Sequence, residues 1–333
     1  MLSKLLSIVI SSHNNEDTIK RCIESFYYKV QDYDVEIICI DDHSTDNTIN
    51  IISKYPHVKL KKLHQYGLGA SRNEGIHQSN GKLIWFIDAD DTINKANLDQ
   101  KFFDLLSNKK ADMFLLGFNK KYGMKAKLTA NNITEFVNVN SDSAKQLFRE
   151  NILNNSWNKI YKREIIIKNK LSFVCYPSIE DIMFNCDYFK HISNIQTISL
   201  PLYNYFVYSK TSTKYTWHSN QEKLAKLLLT KLVDVSKTSN LVNKEDLFEN
   251  MVNAIIGLQI NIFNKFKGSP TLKEYYDEQK FIRLNSLYKF SKFTWCGLGY
   301  TLKYIISKNS ILSFMYIKSV FFNKVDYRMK LAT

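Results

Sequence analysis

The segment that most constrains this chain is Ile84-Trp85-Phe86-Ile87-Asp88-Ala89-Asp90-Asp91, an apolar run that stops abruptly in three carboxylates. An unbroken apolar run of this length reads as a strand covered on both faces, the kind that a parallel sheet buries. Acids at its end point at something positively charged just beyond the sheet edge. In open α/β sheets ligands bind there, outside the carboxyl ends of the strands. On this segment alone two readings stay open. One is a divalent metal holding a phosphate-bearing substrate; the other is a solvated turn before a helix whose dipole favours acids in its first turn.

Neighbouring segments repeat the pattern. Leu5 to Ser11 predicts a strand, and Ser12-His13-Asn14-Asn15 supplies turn and N-cap chemistry before Glu16-Asp17. The helix that follows carries Ile19, Cys22, Ile23 and Phe26 on one face. Val35 to Ile40 predicts a second strand, ending in Asp41-Asp42-His43-Ser44-Thr45-Asp46, with a helix bearing Ile49, Ile51 and Ile52 after it. Val58 to Leu63 alternates apolar and basic residues, as a strand with one solvated face does. Gly67 and Gly69 precede a helix around Ser71 to Gln78, and Gly81 ends it before the strand at Leu83. Alternating strand and helix implies a parallel sheet with right-handed crossovers. Three acidic strand ends then lie along one edge, and that convergence favours a site over a turn. Neither a Gly-x-Gly-x-x-Gly fingerprint nor a Gly-Lys-Ser/Thr loop is present.

Beyond the first third, Asp112 to Phe118 predicts a strand, Asn131 to Asn140 a loop or edge strand, and Ser143 to Glu150 a helix. Glu180 and Asp181 open a helix that runs through Cys186 and Phe189, and Leu202 to Tyr208 is a strand with tyrosines on alternate positions. From about Asn220 the pattern is helical. From Lys280 onward Asp326 is the only acid, against ten Lys and Arg interleaved with aromatics.

The net charge of +14 over 333 residues implies an anionic partner. No zinc-finger spacing, RNA-recognition signature or basic-plus-heptad pattern is present, so nucleic acid is not expected. The five cysteines form no Cys-x-x-Cys pair and mostly sit in apolar patterns, as reduced core residues of a cytosolic protein do. The N-terminus runs straight into a strand with no signal-peptide pattern. Nowhere do ~20 uninterrupted apolar residues occur, so no spanning helix is expected.

Four motifs in order, Ser-Ile-Val-Ile-Ser-Ser-His-Asn-Asn-Glu from Ser7, Ile-Asp-Asp-His-Ser-Thr-Asp-Asn-Thr from Ile40, Ala-Ser-Arg-Asn-Glu-Gly-Ile from Ala70 and Phe-Ile-Asp-Ala-Asp-Asp from Phe86, resemble family 2 glycosyltransferases. The resemblance covers roughly Leu5 to Tyr208 and implies a GT-A fold, an α/β architecture with a mainly parallel Rossmann-like sheet. It implies a catalytic domain over 1–215, with a nucleotide-sugar half (1–118) and an acceptor half (119–215), followed by a mainly helical basic region over 216–333. Ser11, His13 and Glu16 match the first-strand segment that lines the nucleotide pocket, with His13 standing where the family usually carries Tyr or Phe. Asp42 matches the acid that reads the uracil edge, and Arg72 the arginine near donor and metal. Asp88-Ala89-Asp90 matches the DxD motif that binds Mg²⁺ or Mn²⁺ and the donor's ribose, with Asp90 the foremost metal ligand and Asp88 and Asp91 close by. Glu180-Asp181 resembles the acidic pair whose aspartate is the base on the acceptor hydroxyl; helix N-caps use the same residues. Trp157 and Lys159 resemble the Trp-x-Lys segment beside the acceptor, and Trp157 reads equally as core.

The implied activity is metal-dependent, inverting transfer of one hexose or N-acetylhexosamine from a UDP-sugar to a bacterial surface glycan such as capsule, lipopolysaccharide or teichoic acid. The Gln-x-x-Arg-Trp motif and the spanning helices of the family's processive members are missing, which predicts single-sugar transfer. The basic, aromatic C-terminus reads either as a solvated face or as a surface for an anionic inner leaflet and its lipid-linked acceptors. The latter predicts a cytoplasmic protein, peripheral on the plasma membrane. Rival functions are glycosylation of a protein such as an adhesin, a catalytically silent sugar-nucleotide or polymer scaffold, and a nucleotidyltransferase. The last would carry a Gly-rich basic loop after its first strand, which Ser11 to Glu16 is not.

Overall fold

Apolar runs that alternate with amphipathic helices leave the chain one economical arrangement, parallel strands with helical crossovers. In the computed structural model, strands β1 (Leu6–Ser12), β2 (Val35–Asp41), β3 (Val58–Lys62) and β4 (Leu83–Asp88) are parallel, in the order β3-β2-β1-β4. Helices α1 (Ile19–Glu24), α2 (Thr48–Ile52) and α3 (Leu68–Gln78) make the crossovers. The structure describes residues 4–207 apart from 65, 108–109, 123–124, 130–135, 150–153 and 177–178. Beyond these it describes 221–238, 270–281 and single positions at 252, 256, 259–260, 262, 265–266 and 315.

The sheet continues past β4 with antiparallel and parallel pairings. After the two-residue β5 (Thr92–Ile93) and helix α4 (Gln100–Leu106) come β6 (Met113–Tyr122), β7 (Lys125–Thr129) and β8 (Phe136–Asn138). Helix α5 (Asp142–Arg149), β9 (Lys159–Lys162), α6 (Arg163–Lys168), α7 (Glu180–Phe189) and β10 (Asn194–Phe206) complete the first compact unit, Met1–Val207. Strand β9 is antiparallel to both β4 and β6, and β10 pairs in parallel with β6. The second unit, Tyr208–Thr333, contains helices α8 (Gln221–Thr238) and α9 (Leu272–Phe281) among its described residues. No described helix is long and apolar enough to cross a membrane. Tyr208, Cys296 and the basic run after Phe281, with its expected membrane contact, lie outside the described residues.

Two strands differ from the sequence expectation. β10 begins at Asn194 rather than Leu202, because polar Gln196, Thr197 and Ser199 and the ring of Pro201 interrupt its apolar pattern. The ladder with β6 absorbs them as irregularities on either side of Pro201. β9 is four residues long, too short to show a period, yet it fills the gap between β4 and β6 with Lys159, Ile160 and Tyr161 all fully buried. Asn131 to Asn140 contains the short strand β8, one of its two expected alternatives.

Candidate active site

Parallel pairing puts the polar strand ends side by side. Ser11 of β1 sits opposite Asp88 of β4, and Ser12 opposite Asp41 of β2. The loops after β1 and β2 are laced together: Asn47 N donates to Glu16 Oε2 (2.9 Å), Glu16 N to Asp46 Oδ2 (3.0 Å) and Thr45 N to Asn14 Oδ1 (2.8 Å). Glu16, expected at the donor, thus also ties the first loop to the start of α2. Asn14 and His43 hold left-handed backbone, φ 51° and 59°, which non-glycine residues adopt where surroundings enforce it.

Asp42 follows directly on β2 at this edge. Its Oδ2 accepts from Gly67 N (2.8 Å), and its Oδ1 lies 3.2 Å from His43 Nδ1. Gly67 has φ 109°, a conformation in which any side chain is strained. The His43 ring stacks on Tyr66 at 3.9 Å between centroids, leaving an exposed aromatic face beside Asp42. His13 turns its ring nitrogen to the Asp42 carbonyl oxygen. The sequence reading gave His43 no role, and nothing in the pattern marks a stack formed between two loops. Asp41 is 1% exposed; its Oδ2 accepts from Ser44 N and its Oδ1 has no protein partner.

Arg72, in α3, is the hub. Its guanidinium is 1% exposed and reaches Asp181 Oδ1 (2.6 Å), Asp88 Oδ1 (3.1 Å) and Glu180 Oε1 (3.4 Å). One side chain therefore joins the end of β4 to the start of α7. The ring of Phe173 lies 5.4 Å from the Arg72 charge centre, and Asn73 brackets the backbone of Phe173 with two hydrogen bonds. Gly69 lets α3 come this close: a Cβ there would sit 2.4 Å from the Val174 carbonyl oxygen. One cation facing three carboxylates leaves surplus negative charge. Burial pushes the Asp88 carboxyl up to about 6 against the pull of Arg72, and burial with Asp181 alongside raises Glu180.

The DxD turn is braced from several elements. Arg21 donates to the Asp90 carbonyl oxygen (2.7 Å) and lies over the Phe206 ring (4.0 Å). Asp91, expected beside a metal, is 1% exposed and points into the sheet; its oxygens accept from Tyr203 Oη and Phe206 N, both at 2.7 Å. That geometry makes it a brace for the turn, with one hydrogen bond on each oxygen. Burial raises its carboxyl well above the ordinary range. Ala89 is buried at 2%. Among the described residues no group of three His, Cys, Asp or Glu could hold an ion. Asp88 and Asp90 remain, and two hard carboxylate oxygens completed by substrate phosphates suit Mg²⁺ or Mn²⁺.

Asp181 is held from beneath as well. Ser156 Oγ lies 2.7 Å from its Oδ1, in a turn closed by a hydrogen bond from Lys159 N to the Ser156 carbonyl oxygen. Trp157 and Lys159, expected to line the acceptor, are buried, 5% and 0% exposed. The indole stacks on Tyr203 and Tyr205 and meets Phe118 edge-on. The Lys159 ammonium turns to the Asn155 carbonyl oxygen and Asn158 Oδ1. Burial lowers its pKa to about 7, with Asp181 opposing. Between about pH 7 and about pH 10.4 the unfolded chain binds a proton that the folded chain lacks, so this lysine makes stability rise with pH there. Accordingly, the melting temperature of Lys159→Met relative to the wild type should be highest near about pH 6 and fall toward about pH 9.5. A pH-independent difference would contradict the assignment.

Residues 7–169 match Glycosyl transferase family 2. The chain is 28% identical over 200 residues to the poly(ribitol-phosphate) beta-N-acetylglucosaminyltransferase TarP of Staphylococcus aureus, over 57% of this chain and 59% of TarP. It spans less than two thirds of the length of TarP and of several other curated relatives matched at similar identity. The fold superposes on S. aureus TarS residues 1–349 in complex with UDP-GlcNAc, with TM-score 0.60 and 18% identity over 87% of this chain and 93% of that one. It also resembles the mannosyltransferase PcManGT of Pyrobaculum calidifontis in complex with GDP-Man and Mn²⁺, with TM-score 0.50 and 11% identity over 95% and 87% of the two chains. The fold is GT-A in architecture, as in these solved structures. Its hub, Arg72 with Asp88, Glu180 and Asp181, joins the matched segment to α7 beyond it.

Proposed function

We propose that the chain is a metal-dependent, inverting glycosyltransferase that moves one hexose or N-acetylhexosamine from a UDP-sugar to a hydroxyl of a bacterial surface glycan. One arrangement supports this above all. Arg72 gathers Asp88, at the end of β4, and Asp181, at the start of α7, onto a single guanidinium. Donor-side and acceptor-side acids are thereby held in one place, as direct transfer requires.

In this scheme Asp42 reads the nucleobase, Ser11 and His13 line its pocket, and the His43–Tyr66 stack supplies the aromatic face that His13 does not. Asp88 and Asp90 hold the cation, while Asp91, Tyr203, Phe206 and Arg21 keep their turn in place. A divalent cation bound there neutralises the diphosphate as it departs. Asp181 takes the proton of the acceptor hydroxyl as its oxygen attacks the anomeric carbon from the face opposite the diphosphate. One base and one in-line displacement convert an α-linked donor to a β-linked product, with no carboxylate nucleophile. Arg72 orders Asp181 relative to Asp88.

A UDP-sugar donor is supported by the likeness to TarS, which was solved with UDP-GlcNAc. A polyanionic acceptor, such as a poly(ribitol phosphate) or a lipid-linked glycan on an anionic membrane surface, is supported by the net charge of +14 and by the likeness to TarP. Release of UDP from UDP-GlcNAc and UDP-glucose, measured with Mn²⁺ or EDTA and with poly(ribitol phosphate), lipid-linked glycan or peptide as acceptor, tests this. The proposal expects metal-dependent release stimulated by a glycan acceptor. Stimulation by peptide alone would move the acceptor to protein, and no release with any pair would remove the catalytic reading.

A further inference from the structure

We propose that Ser156 is a positioning residue for transfer: together with Arg72 it fixes one oxygen of Asp181 and leaves the other facing the acceptor. This rests on Asp181 being the base. Oδ1 of Asp181 receives Arg72 Nη1 at 2.6 Å and Ser156 Oγ at 2.7 Å. An ionised carboxylate only accepts hydrogen bonds, so the serine hydroxyl donates. Among the described residues nothing donates to Oδ2, and the side chain keeps 21% of its surface open. Two donors from separate elements, α3 and the turn before β9, define the rotation of the carboxylate about its Cβ–Cγ bond. The proton of the acceptor hydroxyl then goes to Oδ2 as the new C–O bond forms. The bond from the anomeric carbon to the diphosphate breaks, and UDP leaves with that electron pair.

The turn that carries Ser156 is fixed to β4, which ends in Asp88, and to β6. Ser156 is fully buried. The next residue's carbonyl oxygen accepts from Trp85 Nε1 of β4 (2.8 Å), and the Asn158 carbonyl oxygen accepts from Leu116 N of β6 (2.9 Å). The Trp157 ring stacks on Tyr203, whose hydroxyl donates to Asp91. Trp157 and Lys159 thus hold the serine in register, which accounts for their burial.

The test measures kcat, acceptor KM and donor Kd for the wild type, Ser156→Ala, Asp181→Asn and the double variant. Ser156→Ala should lower kcat by about 10- to 100-fold, the scale of one hydrogen bond to a charged group. Donor Kd should stay within about twofold, which also reports an intact fold. In the Asp181→Asn background the serine substitution should change the residual rate by less than about twofold, because the two groups act as a unit. Unchanged kcat in Ser156→Ala would overturn the proposal, as would an equal loss of donor affinity or the same factor in both backgrounds. Should Asp181→Asn transfer at the wild-type rate, the assignment of the base falls and the role of Ser156 falls with it.

Discussion

Asp181→Asn should lower kcat by about 10²- to 10⁴-fold, the usual contribution of a positioned general base, with donor affinity within about twofold of wild type. The substitution is nearly isosteric and keeps an oxygen where Arg72 and Ser156 donate. It removes the negative charge, and with it the capacity to take a proton. Arg72 retains Asp88 and Glu180 as partners, so the donor side of the hub survives. Glu180 is a poor substitute as base because it is 7% exposed and its Oε2 is buried without a partner.

Arg72→Met should have the largest effect on stability. It leaves Asp88, Glu180 and Asp181 without their shared counter-charge, and breaking a buried pair from one side costs about 3–5 kcal/mol. For a unit of this size that lowers the melting temperature by roughly 6–20 °C. The loss should depend on pH. Without Arg72 the folded pKa values of Asp88 and Glu180, which its charge lowers, rise further, so the penalty grows as pH rises through them and shrinks where these acids are protonated. Melting of wild type and variant at about pH 5 and about pH 8 should show the larger difference at the higher pH. Arg72→Lys should recover little, since a single ammonium cannot span acids on two sides as the guanidinium fork does. Equal losses at both pH values would mean that packing over Phe173, rather than charge, sets the cost.

The sheet edge was legible because strand period and acidic termini are local features. Leu6–Ser12, Val35–Asp41 and Leu83–Asp88 fall within a residue of their expected bounds, in the parallel order that crossovers demand. The hub was not legible. Arg72 and Asp181 are 109 positions apart, and no spacing rule connects them. Asp91 carries the same chemistry as Asp90 in sequence; its orientation is decided by Tyr203 and Phe206 of β10, 112 and 115 positions away. Ser156 lies immediately before the Trp-x-Lys segment but has no signature, since a serine in a turn satisfies ordinary turn chemistry. Lys159 is marked in sequence only by its resemblance to the Trp-x-Lys segment beside the acceptor, and it is the burial of β9 between β4 and β6 that turns its ammonium inward.

The central claim is that Asp88 and Asp90 carry the cation and the donor, whereas Asp181 acts on the acceptor. Thermal shift with UDP-sugar, with and without Mn²⁺, tests it most directly when wild type, Asp90→Ala and Asp181→Asn are compared side by side. The account predicts a Mn²⁺-dependent stabilisation of the wild type that Asp90→Ala loses and Asp181→Asn keeps. Equal loss in both variants, or a wild type that no uridine nucleotide stabilises, would contradict it.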